Sequence, residues 1–478
     1  MNREAIIVGA GFGGATLALR LAQAGARPLI LERGPWWERA PGAARDADPV
    51  AFPRGLSGAL ARGLRSIWWA RSGPARQIML RPRALFEWHA FSHLDVLTSS
   101  GVGGGSLVYT GIIERPSPDL FDAFPPEIGA RDMDPWFERA RAWLDPAPPP
   151  ADAPRARRFD AAAAHLGLEG RAPDLAISWG DPSPGPGSLK PCVGCGQCVV
   201  GCRHGARGSL DLTLIPEALR LGATLRPMCE VEAIGRSADR WIVRYLDRRT
   251  GQRLQVQAPR LILAAGALGT VRLLMAARDR HRALPALPRT LGQRFFTNGD
   301  AAALMLSLTP DERGPSVTRI ASDAAGFLAE FSAPLGALGL TAPALRRLVR
   351  ISGIAAMGRD QGGSLTFDGR GLHTALSPAS DGLHERQEAR LRAMIAALSP
   401  GLAASTRTRL ASVHPLGGAA MASTPERGVV DHRGEVFGHK GLFVADAAAL
   451  PQAPGVPPVW TIAALAERQA ALMIEAER

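Results

Sequence analysis

Three observations predict an α/β fold. A buried strand runs into G-x-G-x-x-G, a second buried strand ends in an acidic residue, and strand-then-helix pairs recur near residues 260 and 441. The first strand is the apolar run of residues 5–8, followed at once by Gly9, Gly11 and Gly14. Gly9 suits a tight turn, Gly11 lets backbone approach a pyrophosphate, and Gly14 lets a helix pack close to the sheet. An apolar helix is expected over residues 15–24, stopped by Gly25. The strand over residues 28–31 then delivers Glu32, 23 positions after Gly9, where a ribose 2′-hydroxyl is bound in such units. An acidic residue there favours an unphosphorylated ribose, as in NAD or FAD. The N-terminus of the helix adds unpaired N–H groups and a positive dipole end for phosphate.

Composition narrows the class. Of 478 residues, 46% are hydrophobic and 21% charged, as in an ordinary globular protein of two or three domains. No uncharged apolar run reaches 18 residues, so no transmembrane helix is expected. The first strand begins almost at residue 1, which leaves no room for a secretory leader and makes the cytoplasm the expected location. The net charge of +12 comes from scattered arginines, with Lys190 and Lys440 the only lysines. No basic stripe forms, so nucleic acid is not an expected partner; peripheral contact with an anionic lipid surface is the remaining surface reading.

Farther along, residues 36–90 lack clear periodicity and read as loops and short helices over the nucleotide site. Within them, residues 52–69 read as buried packing or as a lid for a membrane or greasy substrate. Proline-rich breaks at residues 146–150 and 182–187 bracket a helical patch. Alternation over residues 225–234 and 241–245 suggests a β-meander. Residues 260–266 read as a buried strand with a glycine turn, leading into a helix from Leu268. An amphipathic helix is expected over 385–398, a strand over 441–445 and a closing helix over 460–476.

Residues 100–109 hold three consecutive glycines, Gly103, Gly104 and Gly105, before Ser106, a pattern for backbone passing something flat at close range. His414-Pro415-Leu416-Gly417-Gly418 and the segment around Asp446 follow in the last quarter. With these pieces the chain resembles the glucose–methanol–choline (GMC) oxidoreductases, in the cholesterol-oxidase-like branch. The matching segments are the opening glycine motif, LILERG at 29–34, GVGGGSLV at 101–108, LAAGALG at 263–269, Asn298-Gly299-Asp300, residues 414–418, and TIAALAER at 461–468. They keep the family's order along nearly the whole chain.

The resemblance implies FAD, held by a discontinuous Rossmann-like domain under an α+β substrate-binding cap. It places the FAD domain at residues 1–115, 205–300 and 408–478, the insertion with the cysteine run at 116–204, and the cap at 301–407. It also implies roles. Gly9, Gly11, Gly14 and Glu32 hold the ADP half; Gly103, Gly104, Gly105 and Ser106 lie along the flavin; Asp446 meets the pyrophosphate–ribityl region. Phe12, Gly13, Arg33, Gly101, Ala265 and Pro457 complete the expected cofactor lining. His414 is the implied catalytic residue, near flavin N5, binding the substrate hydroxyl and assisting proton removal during hydride transfer. Imidazole suits that task because it titrates near working pH. The expected reaction is oxidation of a hydrophobic alcohol, of which a sterol is one candidate, with oxygen or an electron-transfer acceptor reoxidising the flavin. The alanine- and leucine-rich stretch 327–345 supports an apolar substrate.

One position departs from the pattern. The family places Asn or His shortly before the last helix, and here Pro457 stands there. Proline has neither a side-chain donor nor a backbone N–H, so it cannot polarise a substrate oxygen. Either another residue supplies that bond, or alcohol oxidation is weakened or altered, the alternative being a flavin-binding protein with weakened catalysis.

Cys192, Cys195, Cys198 and Cys202 have the C-x2-C-x2-C-x3-C spacing of ferredoxin-type iron–sulfur ligation. With a single run, Cys202 or the later Cys229 is the fourth ligand, or the cluster is held by three cysteines. Zinc and a compact loop of reduced thiols are the alternatives. A cluster here predicts a dehydrogenase that relays electrons to an external carrier.

Overall fold

The computed structural model describes residues 4–37, 63–150, 154–180, 188–202, 204–307, 314–334, 350–377, 381–398, 404–406 and 410–476. Its centre is a five-stranded parallel sheet in the order Leu442–Val444, Arg260–Leu263, β1 (Ala5–Val8), β2 (Leu29–Leu31), Thr224–Arg226. Every residue of β1 and β2 is buried, which is why both read as unbroken apolar runs: a parallel sheet is covered on both faces. Between them runs α1 (Phe12–Gln23), three residues ahead of the expected start, because the helix begins inside the glycine motif. Gly25, with φ +90°, follows its end as a left-handed residue.

Helix Val459–Glu475 packs on α1, and helix Leu214–Arg220 joins the same layer. The other face carries the expected meander, Cys229–Ser237, Arg240–Asp247 and Gln252–Ala258. The strand expected over 225–234 is two strands. Thr224–Arg226 joins the central sheet, and the chain turns at Met228, which has φ +60°, before the meander begins.

A second five-stranded sheet is ordered Ile320–Asp323, Gly326–Pro334, Arg350–Met357, Ala301–Ser307, Ala404–Thr406. Helix Asp381–Leu398 covers one face of it, beginning four residues before the expected amphipathic pattern, and helix Pro154–Ala164 packs on that helix. Phe159, Met394, Leu391 and Ile354 form the apolar layer between them. This arrangement is the mixed α/β fold, with a cap sheet set beside the parallel sheet.

The reading of residues 36–90 as loops and short helices is corrected. Residues 38–62, and with them most of the lid reading, lie outside the described residues, but Leu64–Ala70, Arg76–Met79, Phe86–Phe91 and Leu94–Ser99 are strands. They form one sheet with Leu410–Ser412. Alternation failed as a signal because the inner side of this sheet holds charges as well as aromatics. Arg65 and Glu87 are fully buried, and Arg65 pairs with Glu87 at 2.8 Å and with Glu230 at 3.1 Å. Trp68 is half-buried and stacked on His89.

Candidate active site

One cavity of about 780 Å³ runs from β2 and α1 to the cap sheet. That is near the upper end of the range of roughly 300–1,000 Å³ usual for small-molecule sites. Gly9, Gly11, Phe12, Gly13, Glu32, Arg33, Gly104, Gly105, Ala265, Asp446, Pro457 and His414 all line it. Gly14, Gly101, Gly103 and Ser106 do not, and each braces the wall from behind. A Cβ on Gly14 would lie 2.1 Å from the Gly9 carbonyl oxygen, so only glycine lets α1 seat on the end of β1. The Ser106 hydroxyl donates to the Gly103 carbonyl at 2.7 Å and accepts from the Leu210 N–H at 3.0 Å. Gly103 donates its N–H to the Ala10 carbonyl at 3.1 Å, clamping the triple-glycine loop against the opening motif.

Glu32 is buried and accepts N–H groups from Ala10 at 3.0 Å, Gly34 at 2.8 Å and Gly101 at 3.2 Å. Burial raises its carboxyl above the ordinary range, against the pull of the Gly34 and Ala10 donors. Glu32 thus joins three chain segments at the cavity wall as well as facing the cavity.

The walls fit an extended dinucleotide. At Gly11, Gly105 and Gly266 an added Cβ would meet nothing within 4 Å, so each leaves bare backbone facing open space. Helix α1 has Gly11 as its N-cap with no side-chain cap, which leaves its first N–H groups for a ligand. Asp446 accepts from Gly266 N–H at 2.8 Å, Thr270 hydroxyl at 2.6 Å and Ala448 N–H at 2.8 Å. Burial pushes its carboxyl up to about 6. FAD is therefore a group these residues could hold.

Beside Glu32 lies a buried charge network. Burial alone would raise the Glu87 carboxyl, but Arg33 and Arg65 hold it well below the ordinary range. His89, in the same wall, is pushed down by burial to about 4, with Glu87 opposing. A histidine depressed in the folded state adds stability that is complete above its unfolded value near 6.5 and is lost as pH falls through about 4. The full span is on the order of 3 kcal/mol. His89→Phe, which keeps the ring between Trp68 and Phe91, is expected to flatten the acid side of the stability curve, read from urea unfolding at pH 4 to 7.

At the far end, residues 297–300 carry three positioning side chains. Thr297 bonds to Asp360 through its N–H at 2.7 Å and its hydroxyl at 2.6 Å. Asn298, at φ +58°, donates to the Val456 carbonyl at 3.1 Å and accepts the Gly455 N–H at 2.9 Å, fixing the turn that presents Pro457. Asp300 holds His414. Its carboxylate oxygens lie 2.9 and 3.1 Å from His414 Nδ1, and it also accepts the N–H groups of Val413 at 2.9 Å and His414 at 3.1 Å. A carboxylate against Nδ1 places the proton there and leaves Nε2 as the free lone pair. Sequence reasoning included Asn298-Gly299-Asp300 only as a matching segment. The 114-residue separation of Asp300 from His414 leaves no local pattern to pair them.

Beyond His414 the lining turns apolar, with Ile112, Val199, Val317, Ala329, Phe331, Ala355 and Met357. Register explains the cap's part in it: Ala329 sits opposite Ala355 and Phe331 opposite Gly353, so alternate residues of two strands share the cavity face. A Cβ at position 353 would lie 2.6 Å from the Phe331 ring. Of the stretch 327–345 read as an apolar cap, residues 335–345 lie outside the described residues.

Two family models match, GMC oxidoreductase N-terminal over residues 3–282 and C-terminal over residues 346–466. The chain belongs to the GMC oxidoreductase family. It is 29% identical to a cholesterol oxidase of Mycobacterium tuberculosis, over 98% of this chain and 90% of that one. A cholesterol oxidase of Acinetobacter baumannii is 24% identical over 97% of this chain and 93% of its own. A long-chain-alcohol oxidase of Arabidopsis thaliana is 23% identical over 56% of this chain and 45% of its own. Among solved structures, pyridoxine 4-oxidase from Mesorbium loti matches with a TM-score of 0.63 and 19% identity, over 98% of this chain and 99% of that one, a likeness of fold. GMC oxidoreductases bind FAD and act on CH–OH donors. The present GMC protein is thus an oxidoreductase of that type. No described helix is long and apolar enough to cross a membrane.

The cysteine run lies beside this site, with Val199 reaching the main cavity. Among the described residues, no group of three or more Cys, His, Asp or Glu side chains is placed to hold a metal ion. None of the five cysteines is in a disulfide. Cys229 is remote from the run, on the first meander strand, and lines the main cavity. Burial pushes its thiol up to about 11.

Proposed function

We propose that this GMC protein oxidises the CH–OH group of an apolar alcohol, of the long-chain or sterol class, with FAD as the hydride acceptor. The observation that carries the reading is the junction at His414, where a carboxylate-held imidazole separates the glycine-lined cradle from an apolar pocket. FAD, when bound, supplies the two-electron acceptor for the carbinol hydride. Gly9, Gly11, Phe12, Gly13, Glu32, Arg33, Ala265 and Asp446 are the residues we assign to its nucleotide half, with Gly104, Gly105 and Pro457 toward the ring. The corresponding FAD segments are 1–115, 205–300 and 408–478, and the cap is 301–407.

In this reading His414 Nε2 accepts the substrate hydroxyl proton, and the imidazolium formed keeps Asp300 against Nδ1. That charge pairing answers the departure at position 457: Pro457 shapes the pocket, while His414 alone binds the hydroxyl. The apolar walls exclude water from the reacting oxygen and reject charged substrates, which would have to shed their hydration there. Oxygen or a diffusible acceptor completes the cycle, and no step runs through the cysteine run.

Anaerobic mixing with a long-chain primary alcohol or a 3-hydroxysteroid is expected to bleach the flavin absorption of the purified protein. Persistence of the oxidised spectrum with every apolar alcohol tried would overturn the reading. Asp300→Asn, nearly equal in size, is expected to slow that bleaching by roughly 10–100-fold, part of the usual acid–base contribution. FAD content is expected to stay at the wild-type level.

A further inference from the structure

The cysteine run has no part in the reaction above, yet it forms part of the cavity wall. Cys192, Cys195, Cys198 and Cys202 all line one void of about 10 Å³. A cavity needs about 10–15 Å³ on this measure to hold a single water. A disulfide between two of these thiols removes two hydrogens and adds no atom to that void. Two of these sulfurs are fixed by backbone donors, Cys192 Sγ by the Gly194 N–H at 3.4 Å and Cys202 Sγ by the Ala206 N–H at 3.3 Å.

The loop is tied to both halves of the site. Arg207, fully buried, donates to the carbonyls of Ser106 at 2.9 Å and Leu107 at 2.6 Å, and also to those of Tyr109 and Cys198. On the cap side, the Cys198 N–H donates to Ser316 Oγ at 3.0 Å, and Ser316 Oγ donates to the Gly196 carbonyl at 2.9 Å. Val199, between Cys198 and Cys202, and Val317, next to Ser316, both line the substrate end. A movement of the sulfurs is thus a movement of the pocket wall.

We infer that residues 192–202 are a thiol oxidation site, in which Cys202 reacts with hydrogen peroxide and closes a disulfide with a thiol of the same void, shifting Val199 in the substrate pocket. The Cys202 sulfur attacks one peroxide oxygen; the O–O bond breaks, and the departing hydroxide takes the thiol proton to give water and a sulfenic acid. The second thiol attacks that sulfur, the S–O bond breaks, and its proton leaves with the hydroxyl as a second water. Two thiols are oxidised by two electrons and one peroxide is reduced. The new S–S bond, about 2.0 Å long, fixes the two sulfurs to each other and pulls the 198–202 turn with them. Peroxide is also what oxygen becomes when it serves as the two-electron acceptor, so this site would sense turnover by the proposed reaction.

The test uses the FAD-loaded protein, treated with hydrogen peroxide, alkylated and digested. The peptide carrying all four cysteines is expected to lose two hydrogens and two alkylation sites, reversed by dithiothreitol. At subsaturating long-chain primary alcohol, anaerobic flavin reduction is expected to slow several-fold after peroxide and to recover with dithiothreitol. Cys202→Ser is expected to abolish both changes. Full alkylation of the four cysteines after peroxide would overturn the inference, as would equal slowing in Cys202→Ser, or stoichiometric iron and acid-labile sulfide in the protein as isolated. The peptide mass requires no substrate and no variant, so it decides the thiol chemistry even where the alcohol reading fails.

Discussion

His414→Ala is expected to lower kcat/KM for an apolar alcohol by roughly 10²–10⁴-fold, the usual contribution of a positioned general base. The loss should fall mainly on kcat, because the apolar walls that bind the substrate body are untouched. The imidazole is held in place from several directions. Asp300 fixes Nδ1, the N–H groups of Val413 and His414 bond to the same carboxylate, and Ser412 Oγ donates to it at 3.0 Å. A ring held this way presents one nitrogen in one direction, which lowers the entropy lost on reaching the reacting geometry. Stopped-flow measurement of anaerobic flavin reduction reads the effect directly. An alanine variant that reduces its flavin at the wild-type rate would remove His414 from the reaction.

The second large effect separates two glycines of one motif. Gly13→Ala places a Cβ 1.5 Å from the Ala445 carbonyl oxygen and 2.7 Å from its carbon. Backbone meets it, so α1 must move away from the strand Leu442–Val444 and from Asp446. Overpacking of this kind costs about 1–3 kcal/mol when side chains can yield, and more where backbone must. Gly13→Ala is expected to lower the thermal midpoint by several degrees or to prevent folding, and to lose FAD as a consequence. Gly11→Ala is expected to behave in the opposite way. No atom lies within 4 Å of its Cβ, and its φ of −79° suits any residue, so the fold stays intact. The added methyl projects into the cavity and should weaken FAD binding, measured by flavin fluorescence on titration into the FAD-free protein. Equal thermal midpoints for the two variants would contradict this division.

Those glycines show how far sequence reading reaches. The turn at Gly9 and the close packing at Gly14 follow from motif logic, and the structure gives both their atomic contacts. Gly13 has no assigned role in that logic, because its constraint comes from Ala445, more than four hundred residues away in the chain. Asp300 is the same case: an acidic residue in a matching segment, given its role only when the fold sets it against His414. Ser106 runs the other way. It belongs to the glycine-rich segment by pattern, but its hydroxyl is used inside the loop, since the buried Leu210 N–H needs an acceptor.

The sheet over residues 64–99 was hidden for a related reason. Strands announce themselves by alternation when one face meets water. Here buried aromatics share the inner face with the buried pair Arg65 and Glu87, and the period disappears. The cysteine run was legible as a spacing, while the small void that its four cysteines line was not.

By itself, the sequence determined the parallel sheet, its glycine turn, the acidic end of β2 and the family, because these depend on contacts within one β-α-β unit or on motifs in fixed order. The tertiary structure alone decided which glycines face the cavity and which hold the walls together. It also decided which carboxylate holds the His414 imidazole, and that the cysteine loop reaches the main cavity through Val199. Each of those is a contact between segments distant in the chain, set by how sheets and helices close on one another, and local chemistry carries no record of it.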